Sequence, residues 1–263
     1  MSGRVVFVGA GPGAADLITL RGARWLACAD VVLCDALTDP ALREFAPAAQ
    51  WIDVGKRGFS ADATAQARID ALLVQMAQRH AVVVRLKGGD PSIFGRLEEE
   101  LVALGRAGIE CEVVPGVTAA LAAAAQTQRP LTRRGHGRSV SLSSAMTHQG
   151  ELRAGRHADT EVFYMAGRQL GKLARALRVS GWPGDAPVSV VSRTGWSDRL
   201  ASDHVLTELA AAAVLHAGRP TVVTIGAGAA PVGSATCATQ ASVRSGRGVG
   251  SLPVPTGTGV ATP

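Results

Sequence analysis

Aromatic residues are scarce in this chain. They make up 4% of its 263 residues, with a single tyrosine. A nucleic-acid surface made of stacked rings therefore has little to be built from. The four cysteines, Cys28, Cys34, Cys111 and Cys237, lie far apart and form no C-x-x-C pair. That spacing argues against a zinc site and against a disulfide framework. Cys28 and Cys34 stand among apolar neighbours and read as small core residues. No basic-then-apolar leader opens the chain, because Ser2-Gly3-Arg4 runs directly into a strand, and no apolar run approaches the ~20 residues of a membrane span. No repeat of solenoid period is present. These absences point to a cytoplasmic protein with no membrane partner, no nucleic-acid partner and no metal.

What remains is a globular composition, 47% hydrophobic and 18% charged, with length for one large domain or two small ones. The net charge is +6, and arginine carries most of the positive side. Arginine suits bidentate binding of carboxylates or phosphates. An acidic small substrate accounts for that balance, and so does a tolerated basic surface.

The pivotal stretch is Val82–Arg96, VVVRLKGGDPSIFGR. Its apolar start reads as a buried strand, and Gly88-Gly89-Asp90-Pro91 breaks it, with Pro91 suited to open a helix. Open α/β folds place ligands at such a turn on the carboxyl edge of a sheet. Gly88 and Gly89 let the backbone approach a ligand closely. Asp90 is placed either to anchor a ligand hydroxyl or amine or to cap the following helix.

Strands are expected at 4–8, 31–33, 51–54, 82–84 and 112–114, with helices at 19–29, 39–50, 64–79, 97–107 and 119–126. The glycine loop Gly9-Ala10-Gly11-Pro12-Gly13, with Asp35 some twenty residues on, also matches a dinucleotide fingerprint, so a nucleotide-binding oxidoreductase is a rival reading. Against it, Pro12 removes one N–H from the phosphate cradle and Asp16 adds negative charge near the helix start. Beyond Pro130 the pattern predicts strands at 139–144, 161–165, 187–192 and 220–225, helices at 168–180 and 204–216, and a mobile loop at 146–158. The expected class is α/β with two α/β domains, 1–117 and 118–231. A disordered Gly/Ser/Thr/Pro-rich tail, 232–263, is expected to follow.

The ordered set of blocks resembles the tetrapyrrole methylase family, which includes the precorrin methyltransferases. The blocks are Val8–Gly13, Asp35-Ala36-Leu37, Gly55-Lys56-Arg57, Val84–Pro91 with Phe94-Gly95-Arg96, Val114–Ala119, Pro130-Leu131-Thr132 and Tyr164-Met165. The resemblance implies a homodimer of two-domain α/β chains and a cleft that holds S-adenosylmethionine. It implies cofactor contacts at Pro12, Gly88, Gly89, Asp90, Ile93, Thr118, Ala119 and Met165, and at Thr194 where the family usually has glycine. It implies Asp35 as proton acceptor and Lys56 as proton donor in the methylation of two pyrrole carbons of uroporphyrinogen III, through precorrin-1 to precorrin-2. That product feeds siroheme, cobalamin or heme d1 synthesis, and a later precorrin is the rival substrate. A non-catalytic regulatory or nucleic-acid-binding role for the same fold is a third reading.

Arg57, Arg96, Arg133, Arg134, Arg138 and Arg193 fall in or beside these blocks and are expected to clamp the substrate's carboxylates. The chain departs from the family pattern at Leu97-Glu98, Gly58-Phe59-Ser60, Ser144-Ala145-Met146 and Ser192-Arg193-Thr194.

Overall fold

The valine-rich runs become strands buried on both faces. The computed structural model describes residues 3–55, 63–146 and 152–232. Strands β1 (Arg4–Gly9), β2 (Val31–Cys34), β3 (Gln50–Asp53), β4 (Val82–Lys87) and β5 (Cys111–Val114) form one wholly parallel sheet in the order β3-β2-β4-β1-β5. Such a sheet needs helices on both faces, which is why its strands read as continuous apolar runs. Helix α1 (Leu20–Ala27) covers one face, where Leu26 meets Val6, Val8, Val32 and Val84. The Thr19 hydroxyl starts that helix by accepting the Gly22 N–H at 3.1 Å. Helices α2 (Ala63–Ala77) and α3 (Leu97–Arg106) cover the other face, with Leu73 and Leu104 on Val5, Phe7, Leu33 and Val83.

The second sheet is mixed. Strands β6 (Val140–Ser144), β7 (Thr160–Tyr164), β8 (Pro187–Ser192), β9 (Leu200–Val205) and β10 (Thr221–Gly226) lie in the order β6-β7-β10-β8-β9. Only β6 and β7 run parallel. Helix α5 (Leu170–Val179) packs Leu170, Leu173 and Leu177 on one face, against Phe163, Val188, Val190 and Val223. On the opposite face Ala120 and Ala123 of α4 (Ala119–Thr127) meet Val162, Tyr164, Val191 and Val222. The alanines of α4 thus serve close helix-on-sheet packing.

Four expectations are corrected. Residues 200–205 form β9 where the spacing suggested the start of a helix over 204–216; a 3-10 segment (Leu206–Ala212) and the short α6 (Ala213–His216) follow. The inward positions of β9 are Ser202 and His204, so it carries no apolar alternation to betray it. Pro91 opens no helix, because α3 begins at Leu97 behind a left-handed Arg96. The helix expected at 39–50 is a 3-10 segment, Pro40–Phe45. Cys34 is buried as expected, but Cys28 is exposed, because α1 turns Gly22 and Leu26 inward and ends before it. The tail at 233–263 and residues 147–151 of the expected loop lie outside the described residues.

A polar chain is sealed between β8, β9 and α6. The fully buried His216 has its Nδ1 against the Ser192 hydroxyl and its Nε2 2.9 Å from that of Ser202, which also reaches His204 Nε2 at 2.7 Å. Burial first, then His204 and Arg219, hold the His216 imidazolium below the ordinary histidine range. The unfolded chain therefore binds the extra proton more readily than the folded one. This contribution to stability is complete above the unfolded value of about 6.5 and is lost as pH falls through the lower folded value. Urea unfolding from pH 7 to pH 5 should show a fall in stability of up to about 1.4 kcal/mol per pH unit from this one group. H216Q should flatten that part of the curve, and an unchanged slope in H216Q would refute the assignment.

Candidate active site

Three loops meet at the carboxyl edge of the parallel sheet. They follow β1 (Ala10–Ala14), β4 (Gly88–Arg96) and β5 (Pro115–Thr118), and the register of β4-β1-β5 places their starting points side by side. Gly89 and Gly11 exchange backbone hydrogen bonds, the Gly89 N–H to the Gly11 carbonyl at 2.7 Å and the reverse at 3.3 Å. Gly9 and Gly116 approach so closely that a Cβ on Gly116 would lie 2.7 Å from Gly9 Cα and closer still to the Gly89 carbonyl. The Asp90 carboxylate binds the arrangement together: Oδ2 accepts the Gly116 N–H at 2.9 Å and Oδ1 the Ser92 N–H at 2.8 Å. Of the two roles open to Asp90, capping the next helix is ruled out by the start of α3 at Leu97.

Gly89 has φ +71°, and a Cβ there would meet only Thr118 Cα, at 3.9 Å. A side chain at Gly89 would thus point at the start of α4 and just reach it, with no other group against it. The wall opposite is built from the second sheet. Thr118 stands at the N-cap of α4, yet its side chain caps nothing; its Oγ1 lies 2.8 Å from the Tyr164 hydroxyl. Burial pushes the Tyr164 phenol up, so it stays neutral. Phe94 leans over Tyr164 with ring centroids 5.1 Å apart. Ile93, Ala119 and Met165 pack into the same apolar cluster. Pro12 is carried towards the second sheet by its loop: a Cβ on Gly13 would strike the Trp196 ring and come within 2.9 Å of the Thr194 carbonyl. Thr194 is buried, and its Oγ1 has no hydrogen-bond partner among the described residues.

The positions expected to touch a methyl donor thus lie on the three glycine loops, on the start of α4 and on the facing edge of the second sheet. The same geometry disfavours a dinucleotide phosphate in the first loop. Its Ala10 and Gly11 N–H groups go to the Lys87 and Gly89 carbonyls, and the Ala15 N–H goes to Asp39 Oδ2 at 3.2 Å.

Asp35 lies just past β2, and its Oδ1 sits 2.6 Å from Arg85 Nη2. Lys56 and Arg57 lie outside the described residues. The arginines divide into two groups. Arg96 pairs with Glu99 at 3.0 Å, and Arg193 pairs with Asp198 at 2.7 Å while lying 4.6 Å from the centroid of the Trp196 ring; both are on cleft-side loops. Arg133, Arg134 and Arg138 are not brought to the cleft within one chain. They precede β6 at the Thr160–Gly226 end of the second sheet, a strand length, roughly 13 Å, from Tyr164. Arg133 is committed there to the carbonyls of Ala230 and Pro231, and Arg134 and Arg138 are exposed.

The sequence reading missed a buried charged set beneath the cleft: Arg85 and Lys87 of β4 and Glu100 of α3. The available signal was two cations at strand period in an apolar run, which demand a buried counter-charge.

The site is that of an α/β protein whose ligand cleft lies between the carboxyl edge of a parallel sheet and a second, mixed sheet. The chain belongs to the tetrapyrrole (corrin/porphyrin) methylases, whose family model matches residues 4–210. It is 43% identical over 195 residues to the uroporphyrinogen-III C-methyltransferase of Pseudomonas aeruginosa, covering 73% of this chain and 79% of that protein. It is 41% identical over 199 residues to the protein of the same name from Synechocystis, covering 73% and 75%. Among solved structures, the uroporphyrin-III C-methyltransferase of Thermus thermophilus complexed with S-adenyl homocysteine superposes with TM-score 0.74 at 36% identity. That match covers 85% of this chain and 97% of the other.

Gly89→Val tests the cleft directly. A β-branched residue in left-handed backbone costs about 1–2 kcal/mol of stability, and its two methyl groups would crowd the face turned to Thr118, whose Cα lies 3.9 Å from a Cβ placed at Gly89. Titration calorimetry should show no measurable binding of S-adenosylhomocysteine to a folded G89V protein. Normal affinity would show that the ligand does not pass this turn.

Proposed function

We propose that this chain transfers methyl groups from S-adenosylmethionine to two pyrrole carbons of uroporphyrinogen III, giving precorrin-2 through precorrin-1. The observation that carries the reading is the interlocking of three glycine loops at Gly9, Gly89 and Gly116, with Gly89 turned towards Thr118, in a member of this family. The residues fit the donor: Gly88, Gly89 and Asp90 form one wall, Ile93, Thr118, Ala119 and Met165 another, and Pro12 and Thr194 close the side. When bound, the donor supplies an electrophilic methyl group on a sulfonium. The loops hold reacting atoms in line, which is the larger part of such catalysis.

As the new carbon–carbon bond forms and the carbon–sulfur bond breaks, the pyrrole carbon becomes tetrahedral and the macrocycle must shed a proton. Asp35 is the acceptor in this reading, its carboxylate steadied by Arg85. Lys56 is the donor on the strength of the family resemblance. Arg57, Arg96 and Arg193 are the cations we assign to the substrate's acetate and propionate groups. The product would serve siroheme, cobalamin or heme d1 synthesis in the cytoplasm.

We also assign 1–117 and 118–231 as two domains, and a homodimer as the working form. Supporting the latter, Val179 and Val214 are apolar and almost fully exposed. Among the described residues no helix is long and apolar enough to cross a membrane.

The decisive experiment is incubation with uroporphyrinogen III and a labelled methyl donor, followed by a count of methyl groups on the product. Two per macrocycle is the expected result. Turnover of a later precorrin with none of uroporphyrinogen III would move the assignment elsewhere in the family. D35N and K56M should each lower turnover by about 10²–10⁴-fold while still binding S-adenosylhomocysteine. Near-normal turnover in both would remove their catalytic roles.

A further inference from the structure

Beneath the cleft, Glu100 is fully buried and touches no part of the opening. Its Oε1 accepts from Arg85 Nε at 3.0 Å and its Oε2 from Lys87 Nζ at 2.6 Å. Gln66 Nε2 lies 3.4 Å from the same Oε1. Arg85 in turn has no idle nitrogen: Nη1 donates to the carbonyls of Leu33 and Leu86 at 3.4 and 3.2 Å, and Nη2 meets Asp35 Oδ1 at 2.6 Å. The result is one continuous ionic chain, Lys87–Glu100–Arg85–Asp35. It runs from the floor of the β4 turn to the residue read as proton acceptor.

Two cations two residues apart on one strand face repel each other, and here both are almost completely buried. Burial first, and then Arg85, pull the Lys87 ammonium below the usual lysine range, while Glu100 and Asp35 oppose them. For Arg85 burial acts downward too, but Asp35 and Glu100 together hold its charge in place. A buried ionic set of this kind is weak evidence for stability, because a well-packed apolar set of similar volume often folds as well or better. What it does supply is direction. The guanidinium is a rigid fork, and with Glu100 on its Nε edge only one orientation sends Nη2 to Asp35.

We propose that Glu100 is a positioning residue for methyl transfer: its buried carboxylate fixes Arg85 and Lys87, and through Arg85 it sets the place of the Asp35 carboxylate at the cleft. The proposal rests on the reading that Asp35 accepts the proton. Asp35 is two steps from Glu100, with Arg85 the single link between them, and no water or mobile loop is needed to connect them.

The test compares E100Q, E100D and D35N in single-turnover methyl transfer to uroporphyrinogen III, with S-adenosylhomocysteine affinity measured in parallel. E100Q keeps the shape and loses the charge, whereas E100D keeps the charge and shortens the reach. Positioning by charge predicts that E100Q is slowed by about 10–100-fold with donor affinity within about threefold of wild type, and that E100D is the faster of the two. A space-filling role predicts the reverse order, with E100Q at nearly the wild-type rate, and that order would overturn the proposal. If D35N itself turns over normally, the reading of Asp35 fails. If D35N is slow while E100Q is not, Asp35 stands and Glu100 falls. Should E100Q fail to bind the homocysteine product, K87M/E100Q gives the same measurement with the unpaired ammonium removed. Slow transfer by that folded double variant supports the proposal, and wild-type transfer refutes it.

Discussion

Three strand ends meet at Gly9, Gly89 and Gly116 with nothing but backbone between them, and the cleft exists because of that contact. A single added methyl at Gly116 would collide with both of the other chains. Side chains are excluded from the meeting point, so the loops that leave it are held by main-chain hydrogen bonds and by the two oxygens of Asp90. Such a scaffold costs little reorganisation when a ligand arrives, because amide groups on a rigid sheet edge do not change rotamer. The rim of the site is therefore a backbone construction, with the buried charges of Arg85, Lys87 and Glu100 laid underneath it.

That division explains what could be read in advance. Glycine spacing, proline and the Gly-Gly-Asp turn are demands of backbone geometry, and they are visible wherever they occur. The parallel sheet was legible for a similar reason, since strands buried on both faces must be continuously apolar. Strand β9 was not, because its inward residues Ser202 and His204 are hydrogen-bonded to each other, with Ser202 bridging on to His216, and need no apolar pattern. Glu100 was equally hidden. An acid in the first turn of a helix looks the same whether it faces solvent or two buried cations. The surroundings of Arg133 were hidden too, because its partners are the carbonyls of residues 230 and 231, almost a hundred positions away.

The basic charge also divides by role. Arg85 is spent inside the protein, Arg129 on Asp203 and Arg219 on Asp198, so the surplus read from composition overstates what reaches the cleft. Four of the residues in left-handed backbone, Phe94, Arg96, Met165 and Arg193, belong to loops around the opening. Non-glycine residues persist in that conformation where the surroundings over-determine it, and here they turn the loops sharply inward.

The middle of the second sheet belongs to the strand that comes last. β10 lies between β7 and β8, so neither neighbour has its full set of partners until residues 221–226 have been synthesised. The parallel sheet, by contrast, has all its strands once residue 114 has left the ribosome. A nascent chain therefore carries the three glycine loops for half its length with no opposite wall against which to hold anything. A chain cut short before Thr221 lacks the central strand of the second sheet, and with it the wall that faces the glycine loops.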